Sequence, residues 1–552
     1  MNGSVSKWLI SRIRRSIPSI LIVTLCSVFA SVSGVLFAIG TKNIIDVAVA
    51  GSRNLFPRAC IIQALIILCI LLFNALLQHM KERLHASLDK EWKQTVLHDL
   101  LISEYRCASK FHSSELVNRL NNDVRILDDA LVNLLPNLFS MITRLVAAFI
   151  ILTALTPVFS LMLLLIGLIV ILMTGLLRRY LKELHKRVSE ADGRVSAIIQ
   201  ETLEKLLAVQ AMGIASEIER RTKKRLDDRF AIHCKRKNLS LLINACVSIL
   251  YYGAGFAALV FCSAGLLKGA ITFGTMTAVI QLVNQLHGPL VGLSGILPQY
   301  TAALAASERL YELDTLPKTA DLSGETTHIL YDQLDYITAR NLTFRFDQDI
   351  IFDHAEFSLP KGAFYVVTGQ SGIGKSTLLK LLLGIYSPED SGGIFLQSGC
   401  EQISVGSCTR HLFAYVPQGN LVFSGTIRDN LLVVNPKATE VDINRAVYIS
   451  AMDQYVQQLP DGLNTVLGES GSGLSEGQIQ RLAIARAILV GAPILLLDEC
   501  TSALDAETEA IVLARLCELK DKTCIAVTHR VIPQNINTTT LKICNGKVTM
   551  EL

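Results

Sequence analysis

The stretch GQSGIGKST, Gly369–Thr377, decides how the C-terminal half of this chain folds. The apolar run AFYVVT precedes it and the run STLLKLLLG follows it, which predicts a strand, a glycine-rich loop and a helix. In this context the pattern G-x-x-x-x-G-K-S/T binds phosphate, because glycines let backbone N–H groups surround the oxygens and the helix N-terminus favours negative charge. We expect Lys375 to contact the β- and γ-phosphates of a nucleotide and Ser376 to hold Mg²⁺. The predicted nucleotide-binding residues are Gly369, Gln370, Ser371, Gly372, Ile373, Gly374, Lys375, Ser376 and Thr377.

Two further apolar runs end in side chains that suit phosphate chemistry. The run PILLLDE ends in Asp498 and Glu499, and the run TCIAVTH ends in His529. Because α/β sheets bind ligands at the carboxyl ends of their strands, we expect Asp498 to hold Mg²⁺ and Glu499 to orient or deprotonate an attacking water. The alternative for Glu499 is a helix cap. A lone histidine is usually structural, but its place in the same sheet favours a contact between His529 and the γ-phosphate.

The predicted strands and helices of this half alternate, which indicates an α/β domain. A polar stretch with Pro, Gly and Thr, at 312–328, reads as a linker. We therefore place a nucleotide-binding domain at 329–552 and a different kind of domain at 1–311.

The first 311 residues carry the apolar excess of a chain that is 51% hydrophobic, with mean hydropathy +0.42. A bilayer core needs about 20 apolar residues in a helix. Six runs qualify, which predicts an all-α, six-span membrane domain. The predicted spans are Ile17–Ile39, Phe56–Met80, Leu134–Leu155, Val158–Leu177, Leu239–Leu267 and Phe273–Leu297. The first is too long for a secretory signal.

Basic residues set the predicted orientation. Four cations precede the first span, and the segments 81–133 and 178–238 are rich in Lys and Arg. By the positive-inside rule these parts lie in the cytoplasm. An even number of spans returns the nucleotide-binding domain to the same side. We therefore expect a multi-pass protein of the cell membrane, with that domain in the cytoplasm.

Polar features within this half each allow two interpretations. The stretches Lys110–Val124 and Ile199–Gly213 are either solvated amphipathic segments or short helices that touch another domain. In the sixth span Gln281, Asn284 and Gln285 form a polar stripe, which either lines a cavity or makes interhelical hydrogen bonds.

Charge and cysteine content argue against other classes. The net charge is only +4, which gives no argument for a nucleic-acid partner. The thirteen cysteines are scattered without a C-x-x-C pair or neighbouring histidines, which argues against a zinc site.

These motifs, together with LSEGQ in GSGLSEGQIQRLAIARA (Gly471–Ala487), resemble the ATP-binding cassette transporters, and among them the half-size exporters. The resemblance implies ATP and Mg²⁺ as cofactors. It implies that Gln418 senses Mg²⁺, that Phe346 stacks on adenine, and that His529 is the switch histidine. It also implies that Ser475, Gly477 and Gln478 bind the nucleotide of a second chain. The loop that ends at Asp505 would link the two ATP sites, and stretches around Ser114 and Glu201 would be coupling helices.

The signature motif departs from the family at one position, because the family has L-S-G-G-Q and this chain has Glu476 in place of the first glycine. Ser475 and Gln478 also fit a capping box, and a glutamate in the first turn of a helix suits the helix dipole. The same carboxylate would be repelled by a phosphate that it faced. The two interpretations are compatible if the Glu476 side chain points away from the nucleotide. Every other hydrolytic residue is present, and a decayed site would usually have lost the glutamate or the histidine, so we expect an active site.

The resemblance implies a dimeric ATPase that exports an amphipathic or hydrophobic substrate, either lipid, drug or peptide. A homodimer is favoured over a heterodimer with another half-transporter. A membrane ATPase that gates a partner without transport is a further alternative. A soluble cassette ATPase is contradicted by six spans, and an importer is disfavoured because importers usually keep spans and cassette on separate chains.

Overall fold

The computed structural model describes residues 3–319, 331–346, 349–389, 392–399, 401–419, 422–468, 473–519, 521–528 and 538–551. The chain forms two compact units. One comprises Met1–His98 and Ser113–Thr315, and the other comprises Asp99–His112 and Leu316–Leu552. The first is helical and the second contains mixed sheets, which confirms the predicted fold class.

The first unit is built from long helices. Proline begins some of them because it lacks a backbone N–H donor, and this separates α7 from α8 at Pro157. Two short π-helical segments, Arg119–Asp123 and Ala130–Leu134, flank α6. The helices are α1 Gly3–Ile13, α2 Ile17–Val49, α3 Phe56–Leu101, α4 Tyr105–Ala108, α5 Ser113–Asn118, α6 Val124–Asp129, α7 Leu135–Leu155, α8 Pro157–Glu204, α9 Leu206–Ala211, α10 Ala215–Leu267 and α11 Phe273–Asp314; α4 belongs to the second unit.

Four helical stretches in the described part of the chain are long and apolar enough to cross a membrane. They are Ile17–Val49, Phe56–Leu101, Ser113–Leu155 and Ala215–Leu267, and each contains one predicted span. The apolar side chains of α3 point mostly outward, as expected where lipid is the solvent. The other two predicted spans lie on the long helices α8 and α11.

The polar stripe of the sixth span makes hydrogen bonds between helices. The Gln285 side-chain amide donates to the Gly34 carbonyl on α2, at 2.7 Å. The Asn284 side-chain carbonyl accepts from the Tyr251 hydroxyl on α10, also at 2.7 Å. Helix packing therefore accounts for these two residues.

Charged and aromatic contacts hold the last turns of α11. Arg309 donates two hydrogen bonds to the buried carboxylate of Asp123, at 2.6 and 2.8 Å. Asp314 accepts from the Trp8 indole at 2.8 Å and pairs with Arg12. The Trp8 ring also packs edge-on against Tyr311. These contacts fix the end of α11 against α1 and the first π-helical segment.

The second unit contains two main sheets. The first has four antiparallel strands in the order β2-β1-β4-β5, and the second has six strands in the order β12-β11-β3-β10-β9-β6, of which all but β12 run parallel. The strands are β1 Tyr336–Phe346, β2 Asp349–Pro360, β3 Phe364–Thr368, β4 Gly393–Ser398, β5 Glu401–Ser404, β6 Phe413–Val416, β7 Gly425–Thr426, β8 Val466–Leu467, β9 Ile494–Asp498, β10 Thr523–Val527, β11 Thr538–Cys544 and β12 Lys547–Glu551.

Helices cover both faces of the parallel strands, so β9 and β10 are buried along their whole length. The helices of this unit after α11 are α12 Lys375–Leu382, α13 Ile427–Leu432, α14 Glu440–Ile449, α15 Asp453–Gln458, α16 Glu476–Leu489 and α17 Ala506–Cys517.

The segment Asp99–His112 belongs to this second unit although it follows α3 in the chain. Its Glu104 N–H donates to the Pro317 carbonyl at 2.8 Å. The rings of Tyr105 and Tyr386 lie 6.2 Å apart, and the Arg106 guanidinium lies over the Phe344 ring. The segment overlaps the predicted stretch Lys110–Val124 only at its end, so its contacts with the cassette precede Ser114 in the chain.

Candidate nucleotide-binding site

The phosphate-binding loop follows β3 and leads into α12, as its sequence predicts. Gly374 has φ +110°, and a Cβ there would clash with the side chain of Ile351. Gly369 has φ +154°, and a Cβ there would lie 3.0 Å from the Ile543 carbonyl oxygen. Both positions therefore have a backbone conformation that favours glycine, and at Gly374 a side chain would also clash with Ile351.

Lys375 folds back over this loop. Its ammonium group donates to the carbonyl oxygens of Gly369 and Gln370, both at 3.0 Å, and the residue is only 5% exposed. The loop and the cation are thus arranged around one cradle at the N-terminus of α12, where backbone N–H groups and the dipole favour an anion.

Asp498 lies beside this cradle, at the carboxyl end of β9. Ser376 donates its hydroxyl to the Asp498 Oδ1 atom at 2.8 Å, and Tyr415 donates to the Oδ2 atom at 2.9 Å. Burial raises the pKa of Asp498, and the hydrogen bonds from Ser376 and Tyr415 oppose that shift. A hydroxyl and a carboxylate at this distance provide the hard oxygen ligands that Mg²⁺ prefers beside nucleotide phosphates.

Glu499, the next residue, is held in an uncommon conformation. Its φ is +49°, although it is not glycine, and its N–H donates to the Val527 carbonyl at the end of the neighbouring strand. Its Oε2 atom accepts from the Gln418 side-chain amide at 2.7 Å. Strained backbone of this kind is concentrated at functional sites, where the surrounding structure holds a side chain in place. The structure therefore brings Glu499 together with Gln418, the residue that the family resemblance implies senses Mg²⁺.

Phe346 ends β1 within an aromatic cluster. Its ring lies edge-on to Phe344 at 5.1 Å and to Tyr386 at 5.4 Å. The ring is half-buried, so part of it is accessible for stacking.

The signature motif begins α16 through a capping box. The Gln478 N–H donates to the Ser475 hydroxyl oxygen at 3.3 Å, and the Ser475 N–H donates to the Gln478 side-chain carbonyl at 2.8 Å. Glu476 is the first residue of α16 and is exposed. The predicted capping box is therefore present, with the glutamate in the first turn.

The start of α16 packs closely on the loop that ends at Asp505. A Cβ at Gly477 would lie 2.9 Å from the Ala503 carbonyl oxygen. The Gln480 side chain donates to the Ser502 hydroxyl and accepts from the Ala503 N–H, both at 3.0 Å. Asp505 itself caps α17 by accepting from the Thr508 N–H and hydroxyl, which lowers the pKa of Asp505. The signature helix and this loop are thus fastened together within one chain.

His529 lies outside the described residues. The strand before it, β10, pairs in parallel with both β3 and β9, and Val527 is aligned with Asp498. The predicted strand is therefore present in the same sheet, and its carboxyl end lies beside the carboxylates.

Sequence reasoning missed two residues, Tyr415 and Gln480. Tyr415 reaches Asp498 from the neighbouring strand β6, and Gln480 reaches a loop over twenty residues later in the chain. Neither was given a role, although Gln480 lies within the stretch Gly471–Ala487 and Tyr415 stands three residues before Gln418.

Comparison with known proteins agrees with this geometry. A model of the ABC transporter transmembrane region matches residues 20–290, and a model of the ABC transporter ATP-binding domain matches 352–502. The ATP-dependent lipid A-core flippase of Vibrio cholerae serotype O1 is 30% identical over 383 residues, which cover 67% of this chain and 64% of the flippase. The corresponding flippase of Aliivibrio fischeri is 32% identical over 315 residues, which cover 55% and 53%.

The chain thus spans between about half and two thirds of the length of these curated relatives. A solved structure of a bacterial Atm1-family ABC exporter with ATP bound superposes with a TM-score of 0.81. It covers 97% of this chain and 94% of its own, at 23% identity, and shows the shared fold. The two matched regions lie in one polypeptide. The chain therefore belongs to the ATP-binding cassette transporters.

Proposed function

We propose that this chain uses ATP hydrolysis to export an amphipathic or hydrophobic substrate across a cell membrane. The observation that carries the proposal is the assembly of Lys375, Ser376, Asp498 and Glu499 at one edge of the parallel sheet. The same polypeptide carries the long apolar helices of a membrane region.

Each of these residues has a defined part in the proposed reaction. The loop Gly369–Thr377 and Lys375 hold the phosphates of ATP in place, and Phe346 stacks on the base. Ser376, Asp498 and Gln418 would hold Mg²⁺, which neutralises charge that develops on the phosphates. Glu499 orients the attacking water and accepts its proton, and the hydrogen bond from Gln418 keeps the carboxylate turned toward the site.

The site is proposed to be completed by a second chain. Ser475, Gly477 and Gln478 would face the γ-phosphate of ATP bound to the partner, and His529 would contact the γ-phosphate in its own chain. The contacts of Gln480 with Ser502 and Ala503 support this arrangement, because they fasten the signature helix to the loop that follows Glu499. A second copy of this chain is the simplest partner, since one chain carries all the motifs of the proposed nucleotide site.

The membrane unit supports a substrate with a hydrocarbon part. A cavity of about 350 Å³ lies between α7, α8, α10 and α11, and its lining includes Phe149, Leu250 and Val283. Tyr251 contributes a hydroxyl to this lining and donates it to Asn284 on α11. Two relatives are named lipid A-core flippases, so we propose a lipid or a similar amphipathic molecule as the substrate class.

The test is ATP hydrolysis by the purified chain in liposomes, beside a Glu499→Gln variant. We expect hydrolysis in the wild type and its loss in the variant, together with ATP-dependent movement of a fluorescent lipid between leaflets. Hydrolysis without movement of lipid, drug or peptide probes would favour a gating ATPase. An inactive wild type would speak against the homodimer or against the signature with Glu476, and a second half-transporter would be sought next.

A further inference from the structure

The Tyr415 hydroxyl donates a hydrogen bond to one oxygen of Asp498, the carboxylate that is proposed to hold Mg²⁺. The Tyr415 hydroxyl lies 2.9 Å from the Asp498 Oδ2 atom, while Ser376 uses the Oδ1 atom at 2.8 Å. Both contacts reach a side chain that is 1% exposed, so water does not compete for these positions. The two oxygens of Asp498 therefore have different partners. The Oδ1 atom faces the phosphate loop, and the Oδ2 atom faces β6.

The position of Tyr415 follows from the sheet. Strands β6 and β9 run parallel, and Tyr415 pairs with Leu496, two residues before Asp498. A tyrosine side chain is long enough to extend past its own pair toward the end of the neighbouring strand. Its ring packs against the apolar core that contains Tyr386, so the hydroxyl has little freedom to turn elsewhere.

We propose that Tyr415 is a positioning residue for metal binding, which holds the Asp498 carboxylate so that its Oδ1 atom faces Mg²⁺ bound by Ser376. The inference rests on the proposed function, since it concerns the same nucleotide site. Partners that hydrogen-bond to a metal ligand typically change metal affinity or activity by about 10- to 100-fold when they are removed. Without the hydroxyl, the carboxylate can rotate away from Ser376, and Mg²⁺ would bind more weakly.

The experiment uses Tyr415→Phe, which keeps the ring and removes only the hydroxyl. The matched control is Tyr365→Phe, because Tyr365 lies in the same sheet, is 1% exposed and donates its hydroxyl to the Pro360 carbonyl, away from Asp498. Both changes are made in full-length protein that carries Glu499→Gln, so that turnover does not interfere. Binding of a fluorescent ATP analogue is then measured while Mg²⁺ is titrated.

We expect the Mg²⁺ concentration at half-saturation to rise about tenfold in Tyr415→Phe and to stay unchanged in Tyr365→Phe. Binding of the analogue without Mg²⁺ should be equal in all three proteins. Adding Asp498→Asn should abolish the difference between tyrosine and phenylalanine at position 415, because the carboxylate is then gone.

A half-saturation in Tyr415→Phe equal to that of its parent would overturn the positioning role. So would a difference that persists in the Asp498→Asn background, which would mean that the hydroxyl acts through a group other than the Asp498 carboxylate. If the parent protein bound the analogue without any response to Mg²⁺, the proposed metal site itself would be wrong.

Discussion

Glutamine in place of Glu476 tests which way this side chain faces in the proposed dimer. The substitution removes the charge and keeps the length. It leaves the capping box untouched, because Ser475 and Gln478 make both of its hydrogen bonds. Glu476 is exposed in the first turn of α16, so the change should not disturb packing.

The charge of Glu476 can act in two ways, and the two differ in size. It can stabilise the N-terminus of α16, or it can repel a nucleotide phosphate that it faces. A single charge at the N-terminus of an exposed helix contributes about 0.3–1 kcal/mol, so the stability of the fold should fall by no more than that. A carboxylate about 8 Å from a phosphate charge would cost about 2 kcal/mol at an effective dielectric constant near 20, or ~30-fold in affinity. In fully solvated surroundings the same pair would cost about 0.5 kcal/mol, or ~2-fold.

The assay is the Michaelis constant for ATP in liposomes at low and high salt, with Glu440→Gln as the control. Glu440 is another exposed glutamate in the first turn of a helix, and it belongs to none of the nucleotide motifs. We expect less than about a threefold change in Glu476→Gln if, as we propose, the side chain points away from the nucleotide. A Michaelis constant that falls tenfold or more, and less so at high salt, would refute this orientation.

Three further substitutions test packing, two in the nucleotide-binding motifs and one in the helical unit. Gly477→Ala should lower ATP hydrolysis by about 10- to 100-fold despite a better helix former, because its Cβ would press on the Ala503 carbonyl and shift the signature helix; unchanged activity would show that the loop can yield. Gly374→Ala should weaken binding of a fluorescent ATP analogue by about tenfold or more, since φ +110° and the contact with Ile351 both oppose a side chain; wild-type binding would show that the loop can relax around a side chain. Arg309→Ala should reduce thermal stability by about 1–3 kcal/mol, because the Asp123 carboxylate loses two hydrogen bonds while it stays buried. Lys205→Ala, which breaks an exposed pair, should leave the melting temperature unchanged.

The phosphate site could be predicted from sequence because its parts are local. A strand, a glycine-rich loop and a lysine stand within a dozen residues, and the chemistry of that loop follows from glycine conformations and helix ends. The carboxylates at the end of β9 could be predicted for the same reason. The change from a run of apolar residues to Asp498 and Glu499 marks where the buried strand ends. Parallel pairing then places β3, β10 and β9 with their carboxyl ends at one edge.

Contacts between distant parts of the chain were beyond pattern reasoning. The spacing of Gln285 on α11 is the same whether it lines a cavity or donates to Gly34. The position of α2 beside it distinguishes the two, and this position is not encoded in the local sequence. The local sequence of the segment Asp99–His112 does not indicate its neighbours. In the structure Glu104 and Tyr105 contact Pro317 and Tyr386 of the second unit. Tyr415 is one apolar-strand residue among many until β9 places Asp498 beside it.

The start of α16 has room for a glutamate at position 476 of the signature but not for a side chain at position 477. Position 476 is exposed, and a carboxylate there is favoured by the dipole of the helix that it begins. Position 477 faces the Ala503 carbonyl at a distance that leaves no room for a side chain, so glycine is required by the fold of this chain alone. Ser475 accepts the Gln478 N–H through a lone pair, and its own O–H is not consumed by that bond. The cap and the proposed contact with a partner's phosphate therefore use different parts of the same hydroxyl. A substitution at 476 alters the charge near the shared site without altering the helix start that presents Ser475 and Gly477 to it.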